Sequence, residues 1–229
     1  RIHTFTGQPW VTLSGPKRIF AMLADKCIGL LNTVNYADSP SQKEFLVSRK
    51  IIKLSKIFVL GKGSVAGVDV LKFNSSNYNQ ENRSMIKKSL QIPDNSIILL
   101  FVGRVVKDKG VIDLVKAFKD TFTNDSNVYL LFVGPQEVSL SGLDIDTDGP
   151  LKNRIKFTGF TDAPESYMSI SNVLCIPSYR EGFGTVVIEA AAMGLPAIGY
   201  DIYGLSDSII HGETGLLVKL KNIEKLAGA

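Results

Sequence analysis

The stretch SIILLFVGRVVKDKGVIDLVKAFKD, residues 96–120, changes its apolar period part-way along. Its first part, SIILLFVG (96–103), is continuously apolar and rich in Ile, Leu, Val and Phe, which suits a strand buried on both faces. Its last part sets Val111, Leu114, Val115 and Phe118 at helical spacing, with Lys and Asp opposite. A buried strand that feeds an amphipathic helix over 109–121 is half of a βαβ unit.

The same alternation runs outward in both directions. KIFVL (56–60), NVYLLFVG (127–134), RIKFTG (154–159), NVLCIPS (172–178) and PAIGY (196–200) read as further short buried strands. Helical segments are expected at 81–90, 162–170, 184–194 and 204–211. Alternating strands and helices predict an α/β fold with parallel sheets and right-handed crossovers.

Residues 1–73 differ. A helix is expected from about Pro16, with Ile19, Phe20, Leu23, Cys27 and Leu30 on one side. A short strand TVNY follows, then a helix opened by Ser39 with Pro40 in its first turn. GKGSVAGVD (61–69) and NSSNYNQEN (74–82) are rich in Gly and polar residues and read as a hinge and a linker. The expected division is an incomplete first domain, 1–73, and a more complete second domain, 74–229. The abrupt ends suggest a fragment of a longer chain.

The chain has 229 residues, 45% hydrophobic and 21% charged, enough for a sizeable core. A net charge of +4 is mild, so a nucleic-acid partner is not expected, whereas an anionic ligand is. Cys27 and Cys175, in apolar surroundings without a CxxC pattern, are expected to be buried thiols rather than a disulfide or zinc ligands. No signal peptide or apolar run of membrane-spanning length stands out.

In an open parallel sheet, ligands bind beyond the carboxyl ends of the strands, and three such ends carry chemistry here. In FVGRVVKDKG (101–110), Gly103 lets the chain turn, Arg104 offers a planar fork of donors and Lys109 a compact cation. Together they suit a diphosphate, although a solvated turn would use the same residues. In LFVGPQ (131–136), Gly134 permits close backbone approach. In CIPSYREGFGTVVIEAAAMG (175–194), a strand, a loop and a helix follow one another, with Gly184 or Thr185 as N-cap. The free amides of such a helix start favour an anion. Glu181 precedes that helix and Glu189 lies inside it. Phosphate would repel both acids, so each is expected to meet hydroxyl groups. Hydroxyl grips beside a diphosphate site describe a nucleotide-sugar site.

With these residues the sequence resembles the retaining glycosyltransferases of family 4, which have the GT-B fold of two Rossmann-like domains. EGFGTVVIE (181–189) matches the family's Glu, seven residues, Glu motif, and GRVVKDKG (103–110) its Gly-Arg, Lys-Gly signature. VGPQ matches a third turn loosely, and GSVAGVD has Ala66 where the family often has Asn. FTGF (157–160), AAAMGLPAIGYD (190–201) and HGETGLLV (211–218) extend the likeness over most of 57–218.

The resemblance implies that Arg104 and Lys109 bind the donor diphosphate and stabilise the leaving group without a metal or other cofactor. It implies that Glu181 contacts the transferred sugar, with the amides of Gly182, Phe183 and Gly184 near the sugar or phosphate and Thr185 at the helix start. Glu189 would bind the ribose, Phe160 would lie by the base, and His3, in IHTFTG, would reach across from the first domain. The implied partners are a UDP- or GDP-sugar donor and a saccharide or polyprenyl-linked acceptor in capsule or lipopolysaccharide synthesis. The expected place is the cytoplasm, at the inner membrane face; Lys17, Arg18, Arg49 and Lys50 could supply a peripheral membrane contact, although a solvated helix face is the more expected reading of these four. A nucleotide-sugar epimerase of the same architecture, or a non-catalytic nucleotide-sugar-binding fragment, are the competing expectations.

Overall fold

The computed structural model describes residues 1–137, 151 and 153–229. Its strands form two parallel sheets.

The first body holds β1 (Ile2–Phe5), α1 (Gly15–Leu31), β2 (Val34–Ala37), α2 (Pro40–Ser48) and β3 (Ile57–Val59), in sheet order β1-β2-β3. Ser39 caps α2 as its sequence predicts: its side chain accepts the Gln42 amide, and Pro40 occupies the first turn. Phe5, Trp10, Leu46, Ile52 and Ile57 make a small core. α1 departs from expectation. Ile19, Phe20, Leu23 and Leu30 are more than half exposed, and Cys27 is exposed rather than buried. The helix meets its own body through Ala21, Met22 and Ile28 instead.

Residues 61–69 leave this body tied to it by one residue. Asp38 accepts the Ser64 amide on its backbone oxygen and the Val65 amide on Oδ1, both at 2.8 Å. Phe73 already packs with Ile92 and Ile98 in the second core. The polar run 74–82 is not all linker, because Asn79 and Asn82 form a reciprocal cap that starts α3 (Gln80–Ser89).

The second body continues with β4 (Ile97–Val102), α4 (Val111–Phe122), β5 (Val128–Val133), β6 (Ile155–Phe157), α5 (Pro164–Met168), β7 (Val173–Ile176), α6 (Thr185–Ala192), β8 (Ala197–Asp201), α7 (Leu205–Ser208), β9 (Gly215–Lys219) and α8 (Ile223–Ala227). Its sheet order is β6-β5-β4-β7-β8-β9. That is the doubly wound order, whose direction reverses between β4 and β7. The helix expected over 109–121 is present as α4, with Leu114, Val115 and Phe118 buried against Phe101, Leu130 and Phe132. α5 is shorter than expected: Pro164 sets its start, and the Ser169 and Ser171 hydroxyls turn back onto the carbonyls of Ser166 and Tyr167. α7 is also a remnant of the helix expected over 204–211. β1 and β9 were not expected, since each is short and β1 mixes His and Thr into its run. Cys175, by contrast, is buried as expected, and burial pushes its thiol up to about 12.

Candidate functional site

The reversal between β4 and β7 opens a crevice at their carboxyl ends, and the chain delivers its charged residues there. A cavity of about 270 Å³ is lined by Gly103, Arg104 and Lys109 after β4, by Ser178 and Glu181 after β7, and by Gly184, Thr185 and Val186 at the start of α6. Gly184 caps that helix with φ 78°, a left-handed conformation that glycine adopts without strain. The amides of Thr185 and Val186 lie in the first turn, where no helical carbonyl can accept them. They contribute partial positive charge to the same cavity.

Lys109 Nζ and Glu181 Oε1 lie 2.6 Å apart, with side chains only 23% and 12% exposed. The pair joins the loop after β4 to the loop after β7. Arg104 is more open, and its Nη1 lies 3.2 Å from Glu137 Oε2. Exposed pairs of that kind exchange partners at little cost. Arg104 can therefore leave Glu137 for a bound anion. Ser178 is fully buried, and its hydroxyl has no hydrogen-bond partner among the described residues. A buried hydroxyl on a cavity wall without a protein partner is free to bond a ligand or a water. Sequence reading passed over Ser178 because a serine at a strand end has many bland uses. Its signal was its place beside Pro177 at the end of a wholly apolar strand.

The model for glycosyl transferases group 1 matches residues 82–229. The chain belongs to this family. Among its relatives, the capsular polysaccharide biosynthesis glycosyltransferase CapM of Staphylococcus aureus is 33% identical over 231 residues, which is 99% of this chain and 59% of CapM. The teichuronic acid biosynthesis glycosyltransferase TuaC of Bacillus subtilis, itself a putative assignment, is 30% identical over 71% of this chain and 39% of its own length. Sucrose-phosphate synthase from Thermosynechococcus elongatus superposes with a TM-score of 0.79 and 27% identity over all of this chain and 57% of that one. HepE of Anabaena, solved with UDP and glucose, superposes with a TM-score of 0.81 at 18% identity, over 99% of this chain and 60% of HepE. The fold is thus that of the GT-B glycosyltransferases, in part. The chain spans about 60% of the length of CapM, sucrose-phosphate synthase and HepE, and 39% of TuaC.

In this group 1 domain six of the expected site residues line one cavity: Gly103, Arg104, Lys109, Glu181, Gly184 and Thr185. The other six lie elsewhere. Gly182 approaches the first body so closely that a Cβ there would overlap the Thr6 carbonyl, which makes glycine necessary. Phe183 is buried with its ring against Gly63. Gly134 lies against the Gly103 carbonyl, where a Cβ would overlap it, and its amide donates to the Gly159 carbonyl at 2.9 Å. The Phe160 side chain is exposed at the surface. His3 sits inside β1, paired with Asn35, with its ring 4.6 Å from that of Phe5. Thr6 and Gly7, not His3, are the β1-end residues that meet Gly182 and Arg180.

Glu189 sits on the flank of α6 that faces α5. Burial pushes its carboxyl up, Lys72 opposes the shift and Glu165 adds to it. Lys72 itself bridges Glu165 at 3.5 Å and the Asp162 carbonyl at 2.8 Å. The sequence pattern missed Lys72 and Glu165 because they come from segments far from the motif. Arg180 was also missed. Its Nη2 pairs with Asp108 Oδ2 at 2.8 Å and so ties the two crevice loops together a second time. No helix among the described residues is long and apolar enough to cross a membrane.

Proposed function

We propose that the chain carries the donor-binding part of a retaining glycosyltransferase of family 4. The full-length protein moves a sugar from a UDP- or GDP-sugar to a saccharide or lipid-linked saccharide in cell-surface polysaccharide synthesis. Residues 74–229 are the donor-binding domain, and residues 1–73 belong to the acceptor-side domain and the hinge. The observation that carries this reading is the Lys109–Glu181 pair beside the α6 start, with Arg104 and the Ser178 hydroxyl on the same cavity. The polysaccharide-synthesis names of CapM and TuaC support the choice of acceptor.

The donor diphosphate takes Lys109, Arg104 and the α6 amides, which frees Glu181 for the sugar hydroxyls. Glu189, partly buried and with its carboxyl pushed up by that burial, meets the ribose. The bond between the anomeric carbon and the β-phosphate oxygen breaks, and its electron pair stays on the phosphate. The acceptor oxygen bonds to the same face of that carbon, and its proton goes to the departing phosphate oxygen. Charge that develops on the leaving group meets fixed cations and amides that need no reorganisation. No step requires a metal on this reading, so full activity in EDTA is expected. The protein works in the cytoplasm at the membrane face.

A thermal-shift screen of the full-length protein against UDP-, GDP-, ADP- and dTDP-sugars tests the reading. A donor at a hundredfold excess over its dissociation constant adds about 2.7 kcal/mol to stability. One of the four should stand out. A flat screen would overturn the proposal.

A further inference from the structure

Residues 107–110 and 177–181 run side by side, and each segment carries one partner of the Lys109–Glu181 pair. Gly110, at φ 71°, lies so close to the Pro177 carbonyl that a Cβ would overlap it. The Tyr179 amide donates to the Asp108 carbonyl at 2.9 Å, and Arg180 Nη2 lies 2.8 Å from Asp108 Oδ2.

A buried carboxylate holds these two segments from behind. Asp113, in the first turn of α4 and four residues after Lys109, is 8% exposed. Its Oδ2 accepts the Tyr179 hydroxyl at 2.9 Å and the Tyr200 hydroxyl at 2.7 Å. Tyr200 lies in β8 and is fully buried, with its ring stacked on that of Tyr179 at 6.2 Å. Burial first, and then the bond to Asp113, push both phenols up, so each hydroxyl keeps its proton and donates. A hydrogen bond to a carboxylate is about twice as strong as one between neutral groups. Asp113 thus ties the start of α4, with Lys109 just before it, to the loop that ends on Glu181. None of Asp113, Tyr179 and Tyr200 lines the donor-side cavity, so they act on it only through their neighbours.

We infer that Asp113 is a positioning residue for sugar transfer, which acts through the Tyr179 hydroxyl to hold Glu181 opposite Lys109. The inference rests on the donor reading above, since it takes Glu181 as the group that meets the sugar. Tyr179 is two residues from Glu181, whereas β8 and its Tyr200 bring no residue to the cavity. The two hydroxyls share one acceptor but differ in reach. A reacting group displaced by about 1 Å can lose about 100-fold in rate. Loss of the Tyr179 hydroxyl should therefore appear in kcat, and loss of the Tyr200 hydroxyl in stability alone.

The test uses full-length Tyr179→Phe and Tyr200→Phe, each of which removes one oxygen and keeps its ring. Kinetics of sugar transfer, calorimetric titration with UDP and GDP, and hydrogen exchange over residues 177–184 are compared with wild type. Tyr179→Phe should lower kcat at least about tenfold and speed exchange in that segment. Its nucleotide affinity should stay at the wild-type value, because Arg104, Glu189 and the α6 amides do not depend on the hydroxyl. Tyr200→Phe should keep both kcat and the exchange rate. Asp113→Ala should slow transfer as Tyr179→Phe does, and the double variant should be no slower, since both changes remove one bond. If Asp113→Ala does not fold, the two phenylalanine variants decide alone. Wild-type kcat in Tyr179→Phe, or an equal fall in both phenylalanine variants, would overturn the inference. If the wild-type protein binds neither nucleotide, the donor reading falls instead. Exchange over 177–184 then still reports on the hold: faster exchange in Tyr179→Phe than in Tyr200→Phe upholds it, and equal exchange removes it.

Discussion

α1 and α4 are both amphipathic helices that follow a parallel strand, yet they end in opposite environments. α4 lays Leu114, Val115 and Phe118 on β4 and β5, and all three are buried. α1 is longer and carries Ile19, Phe20, Leu23 and Leu30 at helical spacing, and all four are exposed. The difference is one of neighbours. The six-stranded sheet has strands on both sides of β4, whereas the three-stranded sheet has only β2 beside β1. An apolar stripe announces that a helix wants a partner, and sheet width decides whether the chain supplies one.

The sharpest break between the two bodies is chemical. Lys109→Ala or Glu181→Ala in the full-length enzyme should lower the rate of sugar transfer by about 10²–10³-fold. Arg104→Ala should cost less, because that side chain is half exposed. Steady-state kinetics with the donor selected by thermal shift decides this, and wild-type rates in both first variants would remove the assigned site.

Stability comes next. Phe118→Ala removes a ring that is 1% exposed and should cost about 3–5 kcal/mol in urea unfolding. Across the seam, Ser41 donates its amide and its hydroxyl to Asp207 Oδ2 while accepting the Gly204 amide at 2.8 Å. The Phe45 ring stacks on Tyr203 at 4.5 Å beside it. Asp207→Ala should therefore cost about 1–3 kcal/mol and increase the radius of gyration in solution scattering. At the small end, Phe20→Ser should change the stability of this 229-residue chain by no more than about 0.5 kcal/mol. On the proposed division, the rest of the acceptor-side domain would cover α1 in the full-length protein, and the same change there should cost several times more. Equal costs in the two would break the proposed division.

The smallest effect is a slope with pH. The Glu189 carboxyl is raised above its ordinary value of 4.5, mainly by burial. A raised carboxyl contributes stability below its unfolded pKa and loses it as pH rises through the folded one. Glu189→Gln should therefore gain on wild type as pH rises from about 4 through that point, and the gap should level off above the folded pKa. Melting temperatures of both proteins over that range would show the trend, and a gap that shrinks would contradict it.

Much of the second body was legible because its signals are local. An apolar run such as ILLFV can only be a strand here, and Gly103 and Gly194 mark ends through backbone conformations that glycine favours. The two halves of the cavity between β4 and β7 were legible for the same reason, since each lies within a few residues of a strand end. The buried Ser178 hydroxyl, the Arg180–Asp108 tie and the Lys72–Glu165 pair beside Glu189 were not. Each depends on which segments the sheet order places side by side.

The sequence by itself determined that the chain alternates buried strands with amphipathic helices and carries Arg104, Lys109 and Glu181 at strand ends. Those are properties of period and composition within short windows. Only the tertiary structure decided that Lys109 and Glu181 meet, that Gly182 presses on the Thr6 carbonyl, that His3 stays inside β1, and that the face of α1 lies open. The physical reason is that contacts between distant segments follow from the order and width of the sheets, which no local pattern of side chains encodes.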